Sequence, residues 1–156
     1  MSSAQECALD RLVATDAGEL LTLQRAAYIT EAQLYGDPFL PALTQTLTEL
    51  ITELETAQGH ALRIDGRLVG AVRASVHDDE LHIGRLTVAP DVQGLGLGSR
   101  LLDVAEASTT GTSAVLFTGH LSAANIRLYE RCGYRETHRT PLKTGVDLVH
   151  FRKHLR

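Results

Sequence analysis

The stretch that most restricts how this chain can fold runs from Leu81 to Ala107, centred on Gln93-Gly94-Leu95-Gly96-Leu97-Gly98-Ser99. Ahead of the glycines, apolar residues stand at Leu81 and Ile83 and then at Leu86 and Val88, so a two-residue alternation slips by one position around Gly84 and Arg85. Side chains alternate faces along a strand, so such a slip predicts a β-bulge, an extra residue that bends the strand and leaves backbone groups unpaired. Pro90 and Asp91 end the strand. Glycines at 94, 96 and 98 let the backbone turn tightly with its N–H groups on one side, and Leu97, Leu101, Val104 and Ala105 repeat at helical spacing from there on. The free amides and the positive end of that helix form a cradle suited to a pyrophosphate. It is neither a Walker-type loop, which needs Gly-Lys-Ser/Thr, nor a dinucleotide fingerprint, which needs a third glycine where Ser99 stands and an acidic residue where the chain has Ala114.

The flanking segments alternate helix and strand signals. Leu9 to Val13 reads as a short strand, and Asp16 with Glu19 three positions on reads as a capping pair that starts a helix through Leu20, Leu23 and Ala27, ending near Tyr28 or soon after. The segment Tyr35 to Pro41 carries turn residues interleaved with aromatics and reads as a loop. A second helix follows Pro41 through Leu43, Leu47, Leu50, Ile51 and Leu54, and stops before Gly59. Ala61 to Ile64 and Leu68 to Val76 form a hairpin around Asp65-Gly66, and Asp78-Asp79-Glu80 turns into the bulged strand. After its helix, Ser108 to Ser113 is a loop and Ala114 to Thr118 an apolar strand, parallel to the bulged one. A helix starting near Ser122 carries Asn125 and Tyr129 on one face and stops at Gly133. Thr137 to His138 and Val146 to Lys153 close the sheet, with Pro141 to Gly145 between them.

A chain of 156 residues, 44% hydrophobic and 22% charged, is expected to be one globular domain, residues 1–156. A net charge of -4 with seven histidines offers no basic face for nucleic acid. Cys7 and Cys132 have no partner motif, so neither a disulfide framework nor a metal site is expected. The segment Met1 to Asp10 has no basic start or apolar core and no apolar run reaches membrane-spanning length, so no membrane association and a cytoplasmic location are the expectation.

The glycine loop resembles the acetyl-CoA loop of the GNAT superfamily of N-acetyltransferases, Gln/Arg-x-x-Gly-x-Gly/Ala, through Gln93, Gly96 and Gly98. Asn125-Ile126-Arg127-Leu128-Tyr129-Glu130-Arg131-Cys132-Gly133-Tyr134 is similar to the family's second signature of Asn, then Tyr, then Gly-aromatic. The two blocks together, in order, are far more specific than either alone. The resemblance implies an α/β (α+β) fold with a mixed, mostly antiparallel sheet, a bulged and splayed parallel strand pair and about four helices. It also implies acetyl-CoA as cosubstrate, no metal, and direct transfer of the acetyl group to a primary amine of a small molecule or protein. A homodimer is within the family's habit.

On that resemblance, the backbone N–H groups of Gly94, Leu95, Gly96, Leu97, Gly98 and Ser99 take the pyrophosphate behind Gln93. Those at Leu86, Thr87 and Val88 polarise the thioester carbonyl, and Asn125 bonds the pantetheine arm or a neighbouring loop. Tyr129 matches the tyrosine that protonates the coenzyme A sulfur. His82 stands eleven positions before Gln93, where several relatives have a glutamate base. An imidazole can take that part, with His120 and Glu80 next in line. Each residue has a plainer structural alternative: a simple bend for the slip, a core tyrosine for Tyr129, a surface histidine for His82, and packing for Tyr28, Tyr35 and Phe39, which otherwise wall an acceptor pocket. The alternative function is a non-catalytic acyl-CoA-binding regulatory module.

Overall fold

The computed structural model describes residues 6–156. Its elements are β1 (Cys7–Arg11), a 3-10 turn (Ala14–Asp16), α1 (Ala17–Tyr35), α2 (Pro41–Thr44), α3 (Leu47–Thr56), β2 (Gln58–Ile64), β3 (Arg67–His77) and β4 (Glu80–Val88). A second 3-10 turn (Pro90–Val92) leads to α4 (Leu97–Ala107), β5 (Ser113–Gly119), α5 (Ala123–Arg131), β6 (Arg135–Lys143) and β7 (Val146–His154). One sheet holds all seven strands in the order β1-β2-β3-β4-β5-β7-β6. Every neighbouring pair is antiparallel except β4 with β5.

The expected bulge lies where the alternation slips. Arg73 pairs with Gly84 and Ala71 with Thr87, so β4 uses three steps where β3 uses two. Arg85 takes up the extra residue in the left-handed region, φ 52. The parallel pairing of β4 with β5 covers Glu80 with Ser113, Leu81 with Ala114 and His82 with Val115, and goes no further. The hairpin turn is of the expected kind, with Asp65 at φ 50 and Gly66 at φ 82, both left-handed as a type I′ turn requires.

Elsewhere the elements differ from the sequence reading for identifiable reasons. The first strand is Cys7–Arg11 rather than Leu9 to Val13. Asp16 and Glu19 do not cap one another: both hold Arg63 of β2, at 2.8 and 2.7 Å, and Glu19 also accepts the Leu68 N–H at 3.2 Å. Hydrogen bonding to Arg63 keeps the Glu19 carboxyl below its ordinary range. Helix α1 runs past Tyr28 to Tyr35 and ends on Gly36 at φ 61. The expected second helix is broken in two. Thr46 accepts the Glu49 N–H while Glu49 accepts the Thr46 N–H, a reciprocal cap that starts α3 afresh after the single turn of α2. Pro141 lies within β6 instead of in the closing loop, which is tolerable because β6 is an edge strand and its ladder is irregular there.

The sheet carries helices on both faces. Gly70 of β3 faces α4 so closely that an added Cβ would lie 2.9 Å from Leu101 Cδ1. Arg73, three residues on and therefore on the opposite face, reaches Gln24 of α1 at 3.0 Å and Glu53 of α3 at 2.9 Å. Leu20, Leu50, Leu62, Leu81, Leu101 and Leu102 are fully buried between these layers. Gly70→Ala is expected to overpack α4 against the sheet and lower unfolding free energy by about 1–3 kcal/mol, read from the denaturant midpoint with an unchanged m-value.

Candidate active site

Where β4 and β5 part, the backbone of β4 determines what faces the gap. Ala89 donates its N–H to Val69 at 2.7 Å, and Gly70 with Val88 and Ala71 with Thr87 are the adjacent partners. Antiparallel pairs alternate between bonded and non-bonded, so Thr87 turns its amide into the ladder, whereas Val88, and by the same alternation Leu86, point theirs away from β3 toward the opened gap. Of the three residues read as polarising a carbonyl, two therefore present an N–H. The third, Thr87, is buried and donates its hydroxyl to the Arg85 carbonyl at 2.9 Å, bracing the bulge.

Immediately after β4, the Pro90–Val92 turn and Gln93 lead into α4. The Gln93 side chain donates to the Val88 carbonyl at 3.3 Å, tying the loop to the strand end. Gly94 and Gly96 are left-handed, φ 82 and 80, with open space around each. Leu97, Gly98 and Ser99 are the first residues of the helix, and the first main-chain bond closes from Arg100 to Gly96 at 3.2 Å, so their three amides are free. No carboxylate occurs between Val92 and Arg100 to oppose an anion. The residues present therefore fit a pyrophosphate. Gly98 has a different reason to be glycine: a Cβ there would lie 3.0 Å from Leu128 Cδ2, so it is the close-packing point of α4 on α5.

Tyr129 projects from α5 into a cluster with Tyr134 and Phe151, ring centroids 6.2 and 5.7 Å away. The residue is 6% exposed, yet its hydroxyl is not among the polar atoms sealed from solvent, and no hydrogen bond from it is found among the described residues. Burial, reinforced by Tyr28 and Glu31, pushes its pKa well above the ordinary tyrosine value. At neutral pH the hydroxyl is therefore protonated. Asn125, one turn earlier, donates to Thr118 Oγ1 at 3.3 Å and so faces the end of β5.

The two histidines stand apart in their environments. His82 lies on the segment of β4 still paired with β5, 46% exposed at its side chain, with Nε2 3.2 Å from Glu80. Glu80 also holds Arg152. His120 Nδ1 lies 3.0 Å from the Asp147 nitrogen and 3.3 Å from the Asp147 carbonyl oxygen, which ties the start of β7 to the end of β5.

The helix and loop read as an acceptor wall turn out to be structural braces in part. Leu121 donates its N–H to the Tyr35 hydroxyl at 3.1 Å, the Tyr35 and Ser122 hydroxyls meet at 2.7 Å, and Ser122 donates to Glu31 at 2.6 Å. The Tyr35 ring lies directly on Gly119, where a Cβ would fall 2.0 Å from its oxygen. Lys143 of β6 bonds Asp37 at 3.0 Å, bringing together the two segments, 28–40 and 141–147, that have the least sequence pattern. Phe39 is 76% exposed. Tyr28 is half-buried among Arg85, Arg73 and Glu31; burial raises its pKa against the opposing pull of the two arginines. Glu31, Arg73 and Arg85 were not singled out by sequence reasoning. The signal for Arg85 was present, since it is the residue at the slip.

A family model described as the acetyltransferase (GNAT) domain matches residues 27–155, and the chain belongs to that family. Among curated proteins it is similar to UPF0157 protein YqkA of Bacillus subtilis (strain 168), 28% identical over 139 residues, which are 88% of this chain and 40% of that protein. It is also similar to "Probable N-acetyltransferase camello" of Xenopus tropicalis, 38% identical over 80 residues, 47% of this chain and 36% of that protein. The chain thus spans less than half the length of these curated relatives. The PaiA N-acetyltransferase from Thermoplasma acidophilum, solved in complex with coenzyme A, superposes with a TM-score of 0.83 at 17% identity, covering 96% of this chain and 99% of that one. The ribosomal-protein-S18-alanine N-acetyltransferase from Escherichia coli gives 0.76 at 21% identity over 96% and 94% of the two chains. These likenesses are of fold. No described helix is long and apolar enough to cross a membrane.

The glycines separate two effects that a motif treats as one. Gly96→Ala is expected to weaken acetyl-CoA binding by about tenfold or more, because the left-handed turn that aims the amides is strained, with a melting temperature lowered only by the cost of one such residue, roughly 1 kcal/mol. Gly98→Val is expected to lower the melting temperature by several degrees through Leu128. Isothermal titration and thermal unfolding of both variants check the contrast.

Proposed function

We propose that the chain is an acetyl-CoA-dependent N-acetyltransferase that moves the acetyl group directly to a primary amine. The observation that carries this reading is the continuous path of outward-facing amides, from Leu86 and Val88 on the open side of β4 to Leu97, Gly98 and Ser99 at the start of α4. Amides at one end of such a path suit an acyl carbonyl, and amides at the other a pyrophosphate. The thioester arm of acetyl-CoA lies along it as an extra strand, in the gap that β5 leaves.

In this reading the Val88 and Leu86 amides stabilise negative charge on the acyl oxygen as the amine nitrogen forms its bond to carbon. The carbon–sulfur bond breaks, and the Tyr129 hydroxyl gives its proton to the leaving sulfur. The ammonium proton of the acceptor passes to His82, directly or through water, since an alkylamine is mostly protonated at neutral pH. His120, whose Nδ1 contacts the Asp147 main chain, and Glu80 are the next candidates for that proton. A cytoplasmic location belongs to the same proposal.

Release of free thiol from acetyl-CoA with a panel of amines tests the function. Acetyl-CoA binding without turnover on any amine would leave only the acyl-CoA-binding module. Tyr129→Phe is expected to lower kcat by roughly ten- to a thousandfold with acetyl-CoA affinity nearly intact. The acid must be protonated to act and burial raises its pKa. The alkaline fall in kcat should therefore begin above the ordinary tyrosine pKa of about 10. His82→Ala should depress kcat/KM with acetyl-CoA affinity nearly intact. His120→Ala, the control, should instead lower stability through its lost contact with Asp147. A His82→Ala enzyme that retains the rate transfers the role to His120, Glu80 or solvent.

A further inference from the structure

Arg85 occupies the bulge of β4. It holds the one extra residue of the bulge in a left-handed conformation, φ 52, which costs an L-residue about 1–3 kcal/mol and persists at sites where the strain serves a purpose. Its side chain lines a concavity of about 250 Å³ together with Pro41, Thr44, Gln45 and Glu49. Its Nε is sealed from solvent with no partner, and no hydrogen bond or ion pair of its guanidinium is found among the described residues. Glu49, on the same wall, is held by the Thr46 N–H and pairs with no cation there.

Behind it lies a second guanidinium in similar need. Arg73 is 4% exposed; Nη2 donates to Gln24 and Nε lies 2.9 Å from Glu53, but Nη1 is sealed and unpartnered. The charges of Arg73 and Arg85 oppose one another, which adds to burial in lowering the Arg73 pKa. Buried or half-buried guanidinium groups are normally satisfied, and leaving donors unmade is costly. Tyr28 lies within the field of both arginines and of Glu31, and Tyr129 within that of Tyr28 and Glu31, so Arg85 belongs to the cluster that holds the proposed acid.

We infer that Arg85 binds a carboxylate of the acetyl acceptor, and that the acceptors of this protein are amino-carboxylates whose amine and carboxylate are separated by only a few bonds, as in an amino acid. The inference rests on the acetyltransferase reading above. A planar guanidinium with free terminal nitrogens matches a carboxylate in bidentate fashion. Arg85 immediately precedes Leu86, whose amide faces the gap, so the concavity and the gap adjoin the same stretch of β4. The concavity that Arg85 lines also carries Glu49, which pairs with no cation among the described residues, so an ammonium and a carboxylate can both be met on one wall. A cleft with one cation and one anion suits a zwitterion, whereas a polyamine would leave Arg85 unpaired.

The full chain is assayed by thiol release from acetyl-CoA with three acceptor sets of matched skeleton: α-amino acids, their carboxamides and the corresponding alkylamines. The amino acids should exceed the carboxamides in kcat/KM by about ten- to a hundredfold, mostly through KM, in line with a charge-assisted bidentate contact. Arg85→Gln should bring that ratio to about one, and Arg85→Lys should restore part of it. Arg85→Gly relieves the left-handed strain, so it is expected to fold at least as stably as the parent and to lose the preference as Arg85→Gln does. Turnover of all three sets without preference for the carboxylate, or a preference that survives Arg85→Gln, overturns the inference and leaves the acetyltransferase reading intact. Absence of turnover with every set, while the wider amine panel is acetylated, overturns this inference alone, and absence of turnover with that panel as well overturns both.

Discussion

One surplus residue in β4 governs the rest of this molecule. A strand in register with both neighbours would be fully paired, but β4 steps three residues where β3 steps two, and after His82 it no longer follows β5. The misfit is braced from within by the Thr87 hydroxyl on the Arg85 carbonyl and from beyond by Gln93 on Val88. Unpaired main-chain groups in a sheet interior cost free energy unless a ligand or water satisfies them. The sheet is thus constructed with an incomplete seam, and the glycine loop that follows continues the line of free amides into α4.

The opening must be held at a fixed width although no strand pairing holds it. On one side, α4 packs on β2 and β3 with the Gly70–Leu101 approach fixing its distance. On the other, the last turns of α1 reach across from the β1–β4 half of the sheet to the end of β5 through Glu31, Ser122, Tyr35 and Gly119. The same helix carries Tyr28 and Glu31 to the cluster around Tyr129. The open seam and the Tyr129 cluster therefore share a scaffold.

Much of this was legible in the sequence because it is written in local periodicity. The slip at Gly84 and Arg85, the left-handed pair Asp65-Gly66 and the glycine turn at 94–98 each concern residues next to one another, and backbone sterics alone decide them. What escaped was long-range and polar. The Tyr35 and Glu31 contacts join residues 87 and 91 positions from their partner Ser122, so an apolar stripe that fades after Tyr28 gave no hint that α1 continues. The redirection of Asp16 and Glu19 to Arg63, and of Thr46 and Glu49 into a cap, reflects the same limit: a polar side chain takes the best partner the fold supplies. Gly98 was read as serving the ligand, while its tightest neighbour is Leu128.

The Leu121–Tyr35–Ser122–Glu31 chain has a directional consequence. Its hydrogen bonds run from an amide donor, through two hydroxyls, to a carboxylate acceptor, so each hydroxyl is polarised in the same sense and the order cannot reverse while Glu31 is ionised. Charge at Glu31 and clamping of α1 onto β5 are in that way a single variable.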